Sequence, residues 1–148
     1  MSELFNAIQQ KNTAKALQII ESGWYYPEYI NSEGNTALLL SCYYNMPDIA
    51  MALIKTGQSH PEQVNTFGKT ALIVACYNNM PDIAMALIAT GQSNPTYHVI
   101  TTLRLVKLSN MTAVIDALEN YDNYMASLQQ QAQTNPYDDP NYVMTIDI

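Results

Sequence analysis

Residues 41–59 read SCYYNMPDIAMALIKTGQS, and residues 75–93 write nearly the same segment again as ACYNNMPDIAMALIATGQS. A chain that repeats itself at fixed spacing is built from one small unit used several times, and no other feature here constrains the fold as strongly. The period is 34: Gly34 pairs with Gly68, Thr36 with Thr70, Cys42 with Cys76, Pro47 with Pro81 and Gly57 with Gly91, and 20 of the 26 positions from 34 to 59 match those from 68 to 93. The same shift carries Leu38 back to Leu4, Leu53 and Ile54 back to Ile19 and Ile20, and PEQVN (61–65) back to PEYIN (27–31). Forward, TTLRLVKLSNMTAVIDAL from Thr101 aligns with the segment from Thr70 after a three-residue deletion. The chain therefore reads as four units, at about 1–31, 32–65, 66–99 and 100–120, the outer two diverged.

A period in the thirties implies a stack, because one unit cannot bury its own apolar face and must lean on the next. Each unit reads as helix, tight turn, helix and long loop. In the third, Thr70 suits a helix N-cap, with Leu72, Ala75 and Cys76 on the inward face. Asn78-Asn79 breaks that helix, since Asn accepts the left-handed backbone of a sharp reversal. Pro81 suits the first turn of a second helix, Asp82 its positive end, and Gly91 its close. Pro61 and Gly68 then mark an extended loop or hairpin of roughly a dozen residues without helical period.

That long loop separates the pattern from tetratricopeptide repeats, which share the period but spend nearly every residue on helices. GKTALIVACYNNMPDIAMALIATG (68–91) resembles the ankyrin repeat along its whole length without a gap, matching its Gly, Thr, Leu and Ala signature at Gly68, Thr70, Leu72, Ala75, Ile83, Leu87, Ile88 and Gly91. Ala37 and Ala71 stand where that family has Pro, Leu39 and Ile73 where it has His, and Asn45 and Asn79 where it has the turn Gly. The missing His takes with it a hydrogen bond that ties neighbouring loops in that family. The wording of these units is also similar to arrays encoded by large DNA viruses of amoebae. The fold expected is all-α, an ankyrin-type solenoid over 1–134 with a C-terminal capping helix at 121–134, followed by an acidic extended tail at 135–148.

Little in the sequence points to chemistry. His60 and His98 lie in loops with no metal or triad spacing around them. Cys42 and Cys76 occupy the same place in successive units, where helices stacked ~8–10 Å apart hold them beyond disulfide reach. No phosphate-binding glycine loop, dinucleotide fingerprint or nucleophile elbow occurs. Met46, Met51, Met80 and Met85 recur with the repeat and read as packing. The net charge is −7, five of those negatives lying at 119–148 (Glu119, Asp122, Asp138, Asp139, Asp147), which excludes a basic nucleic-acid stripe. The start MSELFNAIQQ has neither the charged nor the apolar region of a signal peptide, and no apolar run approaches membrane-spanning length. The expectation is an intracellular, cytoplasmic monomer, not an enzyme, with no cofactor or metal and a protein as partner.

The resemblance implies recognition through loop tips and inner helices on a concave face: Ser32, Glu33, Asn35, Tyr43 and Tyr44 in the second unit, Thr66, Phe67, Lys69, Tyr77 and Asn78 in the third. Among these, Tyr43, Tyr44, Phe67 and Tyr77 carry the aromatic area that dominates interfaces. Tyr43 and Tyr77, identical in both copies, also suit packing against the next unit. The near-identical copies differ at Asn35/Lys69, Leu39/Ile73, Leu40/Val74, Ser41/Ala75, Tyr44/Asn78 and Lys55/Ala89, positions read as ones the scaffold leaves free. An alternative function is an adaptor or inhibitor whose acidic, Tyr-containing tail does the work, with YVMTIDI (142–148) able to add as a strand to a partner's sheet.

Overall fold

A threonine begins the first helix of each central unit. Thr36 Oγ1 accepts from the Leu39 N–H at 3.1 Å and Thr70 Oγ1 from the Ile73 N–H at 3.3 Å, satisfying donors that the helix start leaves open. The computed structural model describes residues 2–92, 104, 107, 111–121, 123, 126, 128 and 130. Seven helices occur among them: α1 (Glu3–Gln9), α2 (Thr13–Ser22), α3 (Ala37–Tyr43), α4 (Pro47–Lys55), α5 (Ala71–Tyr77), α6 (Pro81–Ala89) and α7 (Thr112–Glu119). No strand occurs among the described residues.

The reversal inside each unit needs one left-handed residue. Lys11, Asn45 and Asn79 hold it at φ 53°, 54° and 54°. The next residue, the N-cap of the second helix, is then drawn back five positions: the N–H groups of Asn12, Met46 and Met80 donate to the carbonyls of Ala7, Ser41 and Ala75 at 2.8–2.9 Å. Met46 and Met80 precede their helices without capping them through a side chain, and both side chains are buried. Both belong to the core cluster, the packing role expected of methionine at repeat spacing.

Within each unit the two helices pack as a pair: α1 on α2, α3 on α4, α5 on α6. Between units α1, α3 and α5 form one row and α2, α4, α6 and α7 a second. The core lies along the seam of these rows and is continuous: Leu4 and Ile8 touch the same cluster as Leu38, Ile49 and Leu53, then Leu72, Ile83, Leu87 and Ile88, then Val114. Each is fully or almost fully buried, and burial stabilises such a side chain by roughly 1.5–3 kcal/mol.

Helix α7 continues the outer row into the fourth unit, with Val114, Ala117 and Leu118 turned inward and Met111 buried ahead of it as Met46 and Met80 are. Arg104 and Lys107, in that unit's first half, have helical backbone, and Lys107 Nζ lies 3.2 Å from Glu119 Oε1 of α7. In the segment read as a capping helix, Tyr121, Asn123, Ala126, Leu128 and Gln130 are helical; the rest of it and the tail at 135–148 lie outside the described residues.

The left-handed position is a fair test of this account. Lysine has no side-chain means of easing that backbone, so Lys11→Gly is expected to stabilise the chain by about 1 kcal/mol and Asn45→Ala to destabilise it by a similar amount, read by urea denaturation.

Candidate partner-binding surface

Two asparagines organise the loops between units. In each loop the Asn N–H donates to the carbonyl four residues on (Asn31 to Asn35, Asn65 to Lys69, both 3.0 Å), while its own carbonyl accepts from Gly34 or Gly68. Its side-chain Oδ1 accepts two further backbone N–H groups, those of Glu33 and Asn35 for Asn31 and those of Phe67 and Lys69 for Asn65, all at 3.0 Å. One side chain thereby folds five residues into a compact tip. The glycine in each tip has positive φ, 76° at Gly34 and 72° at Gly68.

Asn65 also joins its tip to the one before. Its Nδ2 donates to Asn35 Oδ1 at 2.9 Å and to the Tyr43 hydroxyl at 3.1 Å, and the Thr66 N–H donates to the Glu33 carbonyl at 2.9 Å. A Cβ on Gly34 would stand 3.2 Å from Asn65 Cα, so the tips touch closely enough to need glycine there. The absent family His is thus replaced by an asparagine relay that ties the loops from a different position.

A groove of about 290 Å³ runs beside this relay, lined by Tyr43, Lys69, Ile73, Val74, Tyr77 and Asn78. Ile73 and Tyr77 fall four residues apart along α5 and share one face, and Lys69 stands just before the helix's N-cap Thr70. Tyr43 reaches across from the end of α3, its hydroxyl held by Asn65, with 41% of its surface exposed; Tyr77 is 68% and Phe67 65% exposed. Glu33 is exposed at the preceding tip. Four of the residues singled out from sequence therefore meet in one groove (Tyr43, Lys69, Tyr77, Asn78), with Glu33 and Phe67 at the tips above.

Three of them carry structural duties that their sequence positions conceal. Asn35 is only 2% exposed, its amide spent on Asn65 Nδ2 and on Glu33 Oε2 at 3.3 Å, so its side chain is inside the loop lattice and not on a binding face. Tyr44 is half-buried against the core. Asn78 Nδ2 donates to the Cys42 carbonyl at 2.6 Å, closing the C-terminal end of the preceding unit's inner helix. Neither Asn35/Lys69 nor Tyr44/Asn78 is thus a pair that the scaffold leaves free.

The largest exposed aromatics lie elsewhere. Trp24 and Tyr26 are 90% and 82% exposed, and sequence reasoning by repeat matching passed over them. The signal was present: WYY at 24–26 replaces QSH at 58–60 and QSN at 92–94.

Among the described residues, chemically reactive groups are not assembled. Both cysteines are free and buried, and burial pushes the thiols up to about 12, the Ser41 hydroxyl opposing this slightly at Cys42. His60 has a carboxylate neighbour, Glu62 Oε1 at 3.1 Å from Nδ1, and the pair is exposed on one turn. His98 lies outside the described residues. Among the described residues no three His, Cys, Asp or Glu side chains gather as a metal set, and no helix is long and apolar enough to cross a membrane.

A family model for ankyrin repeats, in three copies, matches residues 4–98. No curated protein matches the chain.

Removing the relay has a defined cost. Asn65→Ala strands two backbone N–H groups and the buried Asn35 amide, and is expected to destabilise the chain by about 2–3 kcal/mol in urea titration. The thiols yield a second expectation. Their folded values lie above the 9.0 of an ordinary thiol, so the unfolded chain loses these protons first and stability falls as pH rises from 9.0 toward about 12. Cys42→Ala/Cys76→Ala is expected to flatten that decline in melts taken across this range.

Proposed function

The chain belongs to the ankyrin-repeat family, whose repeats mediate binding to other proteins, and from that premise we propose that it is a non-catalytic module binding a partner protein through the groove between α3 and α5 and the loop tips above it. The observation that supports this is the convergence of Tyr43, Tyr77 and Lys69 on one groove, with Phe67 at the neighbouring tip. Aromatic side chains contribute large contact area for few rotatable bonds, and they are enriched among the residues that dominate binding energy.

Rigidity adds to the argument. The groove's walls are a short helix on one side and a tyrosine pinned by Asn65 on the other. Surfaces ordered before binding lose less entropy on association. Glu33 and Lys69 set opposite charges at the edge of the aromatic patch, an arrangement that orients a partner more than it adds affinity.

The test compares the intact chain with Phe67→Ser/Tyr77→Ser as baits for partners in a cell extract. Both side chains are exposed, so helicity and melting temperature are expected to stay as they were. A partner captured by the intact chain is expected to bind the variant about 30-fold more weakly or worse, the loss of at least 2 kcal/mol typical of a dominant contact. Equal retention of every partner by the variant would remove this surface from consideration.

A further inference from the structure

A cavity of about 730 Å³ opens where the start of α1 meets the segment that follows α2. Trp24, Tyr25, Tyr26 and Tyr29 line it together with Glu3. Tyr29 is fixed edge-on against Phe5, their ring centroids 4.8 Å apart at 88°.

The hydrogen bonds beneath these rings are ones that the other units also make, although His60 takes a left-handed backbone (φ 52°) that its counterpart Tyr26 does not. Ser22 Oγ donates to the Ile19 carbonyl at 2.7 Å and accepts from the Trp24 N–H at 3.2 Å. Thr56 repeats both bonds with Leu53 and Gln58, and Thr90 with Leu87 and Gln92, each within 0.1 Å of those lengths. A turn closed from the Tyr29 N–H to the Tyr26 carbonyl at 3.1 Å matches one closed from Gln63 to His60 at 3.1 Å, with Pro27 and Pro61 second in each. The second unit makes these bonds with Gln58, Ser59 and His60. The fold therefore does not require Trp24 or Tyr26, yet both hold nearly all their surface in water, an arrangement that polar side chains avoid at no structural cost.

Charge narrows what they face. Among the described residues Glu3 is the one charged residue lining the cavity, and Glu21 and Glu28 lie close by in the chain. The first unit's cations, Lys11 and Lys15, lie toward the opposite end of α2, a helix of ten residues spanning about 15 Å. The positive end of α1 and the negative end of α2 meet here and offset one another, leaving the carboxylates to set the sign. Indole and phenol faces beside a carboxylate attract an organic cation through the ring quadrupole and the countercharge together.

We propose that this cavity binds a cationic side chain, lysine or arginine, presented by a basic segment of a protein partner, with Trp24 and Tyr26 supplying ring faces and Glu3 the countercharge. The site is separate from the α3–α5 groove, and neither reading depends on the other.

Trp24 is the chain's single tryptophan, so its emission reports on this cavity alone. Titration with a Gly/Arg alternating peptide is expected to change that emission saturably, while the same peptide with citrulline for arginine leaves it unchanged. The variant Trp24→Gln/Tyr26→His writes the second unit's residues into the first. It is expected to keep the parent melting temperature and to bind the fluorescein-labelled arginine peptide about tenfold more weakly, in line with a cation–π loss. Equal binding of the citrulline peptide would make the cavity a plain apolar site and overturn the proposal. So would unchanged affinity in the variant, or sedimentation showing a dimer that the variant loses and the arginine peptide does not displace, which would assign the cavity to a second copy.

Discussion

Burial across the seam between consecutive units is what everything else rests on. A pair of helices seven to ten residues long, such as α1 with α2, has too little interior to be stable alone. Leu38 and Ile49 become fully buried because Leu4 and Ile8 cover them on one side and Leu72 and Ile83 on the other. The seam also fixes spacing between units, so helix ends and loop tips from different units arrive at hydrogen-bond distance without any local instruction. The 2.6 Å bond from Asn78 to the Cys42 carbonyl is a consequence of that spacing.

The loops depend on the seam in turn. A loop of a dozen residues with no strand pairing must satisfy its backbone polar groups by other means. Asn31 and Asn65 do so within each tip, and Asn65 extends the solution to its neighbour through Asn35 and Tyr43. This bears directly on binding, since Tyr43 forms a wall of the groove only while Asn65 holds its hydroxyl. A surface aromatic is thereby ordered by a buried amide that lies beyond the next helix in the chain.

Much of this was legible in the sequence. The period, the threonine caps, the left-handed Asn45 and Asn79, the proline starts and the buried methionines all follow from local chemistry, which the chain states twice. What was illegible depends on contacts between units. Leu39 and Ile73, standing where the family has His, left the loops without a visible tie, because the relay that replaces it begins at Asn65 and ends some thirty residues earlier. Lys11 escaped notice because nothing about lysine announces a left-handed backbone; only its register with Asn45 and Asn79 does. Asn35 and Asn78 looked like free surface because a partner supplied by the adjacent unit cannot be read from the residue itself.

Differences between copies therefore divide into two kinds, and hydrogen bonding is what separates them. Tyr44 and Asn78 differ because each does a different structural job: one packs on the core, the other closes the preceding helix. Trp24 and Gln58 also differ, yet their backbones make the same bonds to Ser22 and Thr56 at the same 3.2 Å. In the first case the scaffold explains the change and nothing is left for function to explain. In the second the scaffold is indifferent, and an exposed indole where glutamine serves as well calls for a cause outside the fold. Sequence comparison between units treats the two pairs alike. Only after each side chain's bonds are assigned does the first unit stand apart, as the place where the chain departs furthest from what its architecture demands.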